Sequence, residues 1–146
     1  MLSGQFDETG RPEISERLSL PRLLIERASV QFLIDTGADV TVLSLTDAKR
    51  LGVDYASLKD KEDGMGLGGH AELYVEDALI AFSDDVAVFH YQIQIAIMED
   101  SEDNMTLTSI LGRDIINQWS MRYCFSESTI EIYNTGDAAI ITRGGK

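Results

Sequence analysis

The chain is predicted to be an all-β domain with one or two short helices, and three observations carry the prediction. Residues 30–34 and 86–98 are apolar runs with β-branched and aromatic residues, the second alternating at Tyr91, Ile93, Ile95 and Ile97. Glycine and acidic turn signals break the chain at short intervals, at Gly52, at 64–69, at Ser83-Asp84-Asp85 and at 99–104. The chain has 146 residues, the size of one domain, large enough to bury a core and short for a two-lobed enzyme.

Residues 1–10 are polar, carry Gly4 and Gly10, and have little to bury, so they are expected to form a flexible N-terminal arm ahead of a domain at 11–146. From 12 to 24, Ile14, Leu18 and Leu20 recur at even positions among polar neighbours, the pattern of a half-buried strand interrupted near Pro21. Residues 25–34 give the next strand, which delivers Asp35. Residues 45–52 read as a short helix closed by Gly52, and 55–63 as a charged loop.

Two strands follow at 72–82 and 86–98, with Ser83-Asp84-Asp85 as the turn between them. The acidic run 99–104 lacks the glycine and distal glutamate of a calcium-binding EF-hand loop, and is expected to be a solvated loop. Residues 110–119 read as an apolar strand, a Gly112-Arg113-Asp114 turn and a short helix, with Trp119 packing that helix on the sheet. A final hairpin is expected at 122–125 and 129–133, and a frayed end at 144–146.

Chemistry concentrates at Asp35-Thr36-Gly37-Ala38. A carboxylate at the end of an apolar strand, followed by a glycine that permits a sharp turn, is held by a rigid sheet. The tetrapeptide alone is also compatible with a plain strand-end Asx turn. The segment 64–69 matches Gly-x-Gly-x-x-Gly formally. A dinucleotide site requires an apolar strand before that motif and a helix after it, whereas Lys59-Asp60-Lys61-Glu62-Asp63 precedes it here. A hairpin tip explains these glycines better.

Twelve basic against 25 acidic residues leave a net charge of −13. That balance argues against nucleic acid and against an anionic membrane surface as partners. It favours basic or polar partners, or serves solubility alone. Cys124 is the only cysteine, which rules out an intrachain disulfide and a cysteine-rich metal site, and it reads as a packed strand residue. With no signal peptide and no apolar run near ~18 residues, a soluble, cytoplasmic protein is expected. His70 and His90 lack a spaced serine, cysteine or second histidine that would make either a catalyst, so neither a zinc site nor a serine triad is supported.

Taken together, residues 32–44, the glycine-rich stretch and residues 110–119 closely resemble the retropepsins, the dimeric aspartic proteases of retroviruses and their cellular and bacterial relatives. The resemblance spans residues 11–133. It implies a closed, barrel-like all-β domain acting as a two-fold homodimer, with no metal or nucleotide cofactor and a peptide or protein substrate.

The resemblance also implies roles. Asp35 is the catalytic carboxylate, meeting Asp35 of a second copy at the symmetry axis. Thr36 looks like the threonine that bonds across that axis, and Gly37 like the backbone donor and acceptor beside substrate. Ala38 stands where pepsin-like chains place serine, which implies an optimum at weakly acidic pH. Asp39 and Arg113, beside Gly112, resemble the family's ion pair behind the active site, expected partly buried. Gly64, Met65, Gly66, Leu67, Gly68 and Gly69 resemble the flap that closes over bound peptide.

The chemistry is consistent with that arrangement. Hydrolysis by water needs one carboxylate as base and a partner acid as donor. Two carboxylates about 3 Å apart at an effective dielectric near 20 repel by roughly 5 kcal/mol, so the pair shares one proton. The function implied is a homodimeric aspartic endopeptidase with an apolar preference around the scissile bond. The alternative is a dimeric peptide-binding or assembly module of the same fold.

Overall fold

A computed structural model describes residues 1–66 and 69–142. Even-numbered apolar residues decide the second strand, β2 (Pro12–Leu20), where Ile14, Leu18 and Leu20 point inward. The chain turns through a 3-10 turn at Pro21–Leu23, using left-handed Leu24, and returns antiparallel as β3 (Ile25–Ile34). Val30, Phe32 and Ile34 carry its inward face.

After β3 come β4 (Val42–Leu43) and α1 (Leu45–Arg50). The Ser44 side chain caps α1 by accepting from the Asp47 N–H at 3.1 Å, and Gly52, at φ +82°, ends the turn beyond it. The long hairpin β5 (Asp60–Gly66) and β6 (Gly69–Ser83) is followed by β7 (Ala87–Met98), all antiparallel neighbours. Then come β8 (Ile110–Leu111), the four-residue α2 (Arg113–Ile116), the hairpin β9 (Trp119–Cys124) and β10 (Thr129–Asn134), and β11 (Ala139–Thr142).

Six of these strands close on themselves. The order β6-β7-β4-β8-β3-β2 returns to β6 because Arg17, Leu18 and Ser19 of β2 pair with Ala81, Ile80 and Leu79. Closure removes the free edges that an open sheet would present. The apolar core fills this ring, with Leu18, Leu20, Phe32, Leu43, Ile80, Ile95, Ile97, Leu111 and Ile115 all at 0 % exposure. Beside it, Phe82, Tyr91 and Trp119 meet edge to face, and the Trp119 indole N–H donates to the Tyr91 hydroxyl at 2.8 Å. The expected barrel-like all-β domain is the one observed, and of the one or two short helices expected there are two among the described residues.

Several expectations need correction. The first residues are not a loose arm: β1 (Leu2–Phe6) pairs with β10 and then with β2, and Leu2 is buried. Its few apolar residues suffice because pairing with β10 seats Leu2 in the apolar core. The charged stretch expected to be a loop to residue 63 is a strand from Asp60 on, held by pairing with β6 rather than by burial. β11 was not foreseen; it pairs with β7 at Ala87–His90 and leaves Ile140 and Ile141 exposed. The end expected to fray, at 144–146, lies outside the described residues. Among the described residues no helix is long and apolar enough to cross a membrane.

If β1 is an integral strand, Leu2→Ala lowers stability by about 2 to 5 kcal/mol through the cavity left behind. Urea unfolding measures this, and an unchanged midpoint would return residues 2–6 to the status of an arm.

Candidate active site

Asp35 stands where β3 ends, and its position is determined by insertion of β8 between β3 and β4. β8 runs parallel to β3, Leu33 opposite Ile110 and Ile34 opposite Leu111, and antiparallel to β4, Val42 opposite Ile110. The Leu33 N–H donates to the Ser109 carbonyl and the Asp35 N–H to the Leu111 carbonyl, each at 3.0 Å. The carboxylate therefore leaves a backbone secured on the side of β8.

The loop beyond is tied to its own aspartate. The Gly37 N–H donates to Asp35 Oδ1 at 2.9 Å and the Ala38 N–H to the Asp35 carbonyl at 3.1 Å. This is an Asx turn built around a carboxylate that stays half-exposed. The expected reason for Gly37, a sharp turn needing unusual backbone angles, is not the observed one, since its φ is not positive. The constraint is proximity: a Cβ there would stand 3.2 Å from Asp35 Oδ1. Thr36 and Gly37 are exposed and Ala38 is half-buried.

Gly112 is required for closeness as well. A Cβ on it would lie 2.4 Å from the Val40 carbonyl carbon, so the two loops pass backbone against backbone. The next residue locks them, the Arg113 N–H donating to the Ala38 carbonyl at 2.8 Å and its guanidinium to the Thr36 carbonyl at 2.8 Å. The same guanidinium pairs with Asp39. Side-chain exposures of 38 % for Arg113 and 85 % for Asp39 correct the expectation of a partly buried pair. Facing water, this pair contributes about 0 to 1 kcal/mol, and Arg113 orders the loop chiefly through the Thr36 carbonyl.

The buried support lies one residue further on. Asp114 accepts from the Thr41 hydroxyl at 2.7 Å and the Thr41 N–H at 3.0 Å, while the fully buried Thr41 hydroxyl accepts from the Gly112 N–H at 3.1 Å. A second bridge runs through Ser109. Its hydroxyl accepts from the Ser44 N–H at 2.9 Å and donates to Asp47 at 2.6 Å, and Arg50 holds Asp47 while reaching the Ser29 carbonyl at 2.9 Å. Sequence reasoning gave Thr41 no role and saw Asp114 only as part of a turn. The available signal was an acidic residue opening a helix, and that does not specify which residue it grips.

The structure thus brings Asp35, Thr36, Gly37, Ala38, Asp39, Gly112 and Arg113 into one cluster of two loops. The glycine-rich segment forms the far end of the β5–β6 hairpin, with backbone pairing from Gly64–Ala71 through Met65–His70 to Gly66–Gly69. Leu67 and Gly68 lie outside the described residues. Among the described residues no three potential ligands converge to hold a metal ion.

Replacing Thr41 by Val leaves the Asp114 carboxylate and the Gly112 N–H short of a partner and lowers stability by about 1 to 3 kcal/mol, whereas Asp39→Asn changes it by about 1 kcal/mol or less. Thermal unfolding of the two variants checks this ranking, and equal losses would refute it.

Residues 22–118 match the family model described as "gag-polyprotein putative aspartyl protease". No curated protein matches the sequence. Among solved structures, the fold is similar to a retropepsin-like aspartic protease from Rickettsia conorii, at 20 % identity and a TM-score of 0.56 over 96 % of this chain and 92 % of that one. It is also similar to the EIAV protease complexed with the inhibitor HBY-793, at 23 % identity and a TM-score of 0.51 over 77 % of this chain and 90 % of that one. With the family model covering most of the chain, and the Asp35 loop and β8 both inside the match, the chain belongs to the retropepsin-like aspartic protease family.

Proposed function

We propose that this chain is a homodimeric aspartic endopeptidase in which Asp35 from each of two copies forms the catalytic pair. The observation that carries the reading is the state of Asp35 in one chain. Its carboxylate is half-exposed at a braced strand end and bonded by a single backbone N–H. Among the described residues no hydrogen bond or ion pair joins it to another acidic side chain. A second copy supplies the missing acid.

In this reading the paired carboxylates share one proton. The ionised member takes a proton from water as the water attacks the peptide carbonyl, and the protonated member donates to the carbonyl oxygen. Because the two residues are identical, neither holds a fixed role. Thr36 and Gly37, exposed beside Asp35, sit where the second copy and an extended peptide would approach. Gly112 and Arg113 position the loop, and Asp39 balances the Arg113 charge. The β5–β6 hairpin acts as the flap, its tip at residues 64–69 closing over the substrate. A reducing, cytoplasmic setting belongs to the same proposal and rests on Cys124 being the only cysteine.

On a diverse peptide mixture at weakly acidic pH, wild-type chain is expected to cut and Asp35→Asn to lose about a thousand-fold or more of the rate. The wild-type rate per chain falls on dilution below the dimer dissociation constant. Mass spectrometry of the products and sedimentation of the protein measure both. A stable wild-type dimer that cuts nothing would replace this reading with a peptide-binding or assembly module.

A further inference from the structure

The described residues include two buried carboxylic side chains of opposite character. Glu76, at 6 % exposure, receives the Arg22 guanidinium on both oxygens, at 2.6 and 3.0 Å. Glu16, at 5 % exposure, has no hydrogen-bond partner for either oxygen among the described residues. It stands on β2 in phase with Ile14 and Leu18, opposite Val30 of β3, so its carboxyl enters the apolar core.

An ionised carboxylate in that position would lose its hydration with nothing in exchange, a penalty a protein avoids by keeping the group neutral. The charged groups around it do not reverse this. Arg17, next on the same strand, is exposed, and Asp47 of α1 is of like sign and already engaged by Arg50 and Ser109. Val30 on β3 is uncharged, as are Ala81 and Ile80, the β6 residues that pair with Arg17 and Leu18.

We propose that Glu16 is a proton-operated stability switch. The folded domain holds this carboxyl as the neutral acid, the unfolded chain releases the proton, and the fold therefore tightens as the pH falls. Burial pushes the Glu16 carboxyl from 4.5 up to about 9, with Arg17 acting against the shift and Asp47 with it. The folded value lies above the unfolded one, so between about 4.5 and 9 the folded state binds the extra proton. Stability is full below that window and declines as pH rises through it, by about tenfold in the folded-to-unfolded ratio per pH unit for one proton.

The switch has a route to the Asp35 loop. Ionised Glu16 would push against Asp47, which grips Ser109, and the Ser109 and Leu111 carbonyls hold Leu33 and Asp35. It acts on folding itself and stands whether or not the chain cleaves peptides.

The test is urea unfolding of the full chain and of Glu16→Gln at one protein concentration from pH 5 to 8. Asp7, Asp84 and Glu72 have carboxyls held below their ordinary values, which moves their titration away from this range. The Gln variant is expected to lose a tenfold-per-unit share of the wild-type pH dependence and to be the more stable protein at pH 8. An unchanged pH dependence together with lower stability at pH 8 would overturn the proposal. Carbon-13 NMR of the wild-type glutamate carboxyls gives a reading that needs no variant. A Glu16 signal still protonated at pH 7 is expected, and an ionised one would overturn the proposal.

Discussion

The site depends on one steric condition, that β8 can pass between β3 and β4. Two loop backbones cross there, and at Gly112 the approach to Val40 is too close for any side chain. Everything that holds Asp35 follows from that crossing. The Leu111 carbonyl is within reach of the Asp35 N–H, the Ala38 carbonyl meets the Arg113 N–H, and Thr41 lies between Gly112 and Asp114. Barrel closure through β2 and β6 supplies the rigid surround that makes the crossing permanent.

Polar interactions around the site differ in kind according to their exposure. The Arg113–Asp39 pair is the conspicuous one in sequence, but it faces water and holds the loop weakly. The Thr41–Asp114 and Ser109–Asp47 contacts involve hydroxyls withdrawn from solvent, where an unmade hydrogen bond is costly. Directional strength thus sits beneath the loops, leaving the carboxylate side of Asp35 open. The site is stiff in its backbone and accessible in its side chain.

The parts of this architecture that obey a local period were legible in the sequence. β3 and β7 read directly from their apolar runs, and α1 from its length and closing Gly52. β1 and β11 were not legible because each is stabilised by the ladder of a strand distant in sequence, and β5 was not because its charged residues carry no apolar alternation. The cluster of Asp35 with Gly112 and Arg113 was reachable through motif resemblance. Its buried braces were not, since one-dimensional order does not reveal which hydroxyl faces which carboxylate. Glu16 is instructive in the opposite sense: it falls in register with Ile14, Leu18 and Leu20, so the alternation itself pointed it inward.

The closed ring also governs the order in which the molecule can be assembled. The β5–β6 and β9–β10 hairpins join neighbours and can form early, while Thr41 and Asp114, 73 residues apart, meet only after a long loop has closed. Contacts of that separation carry a larger loop-closure cost than those within the hairpins. During synthesis the Asp35 loop therefore stays without its braces until residues 110–114 have emerged. A chain that has formed the β5–β6 hairpin but not β8 carries Asp35 in its sequence without the loop geometry that positions it.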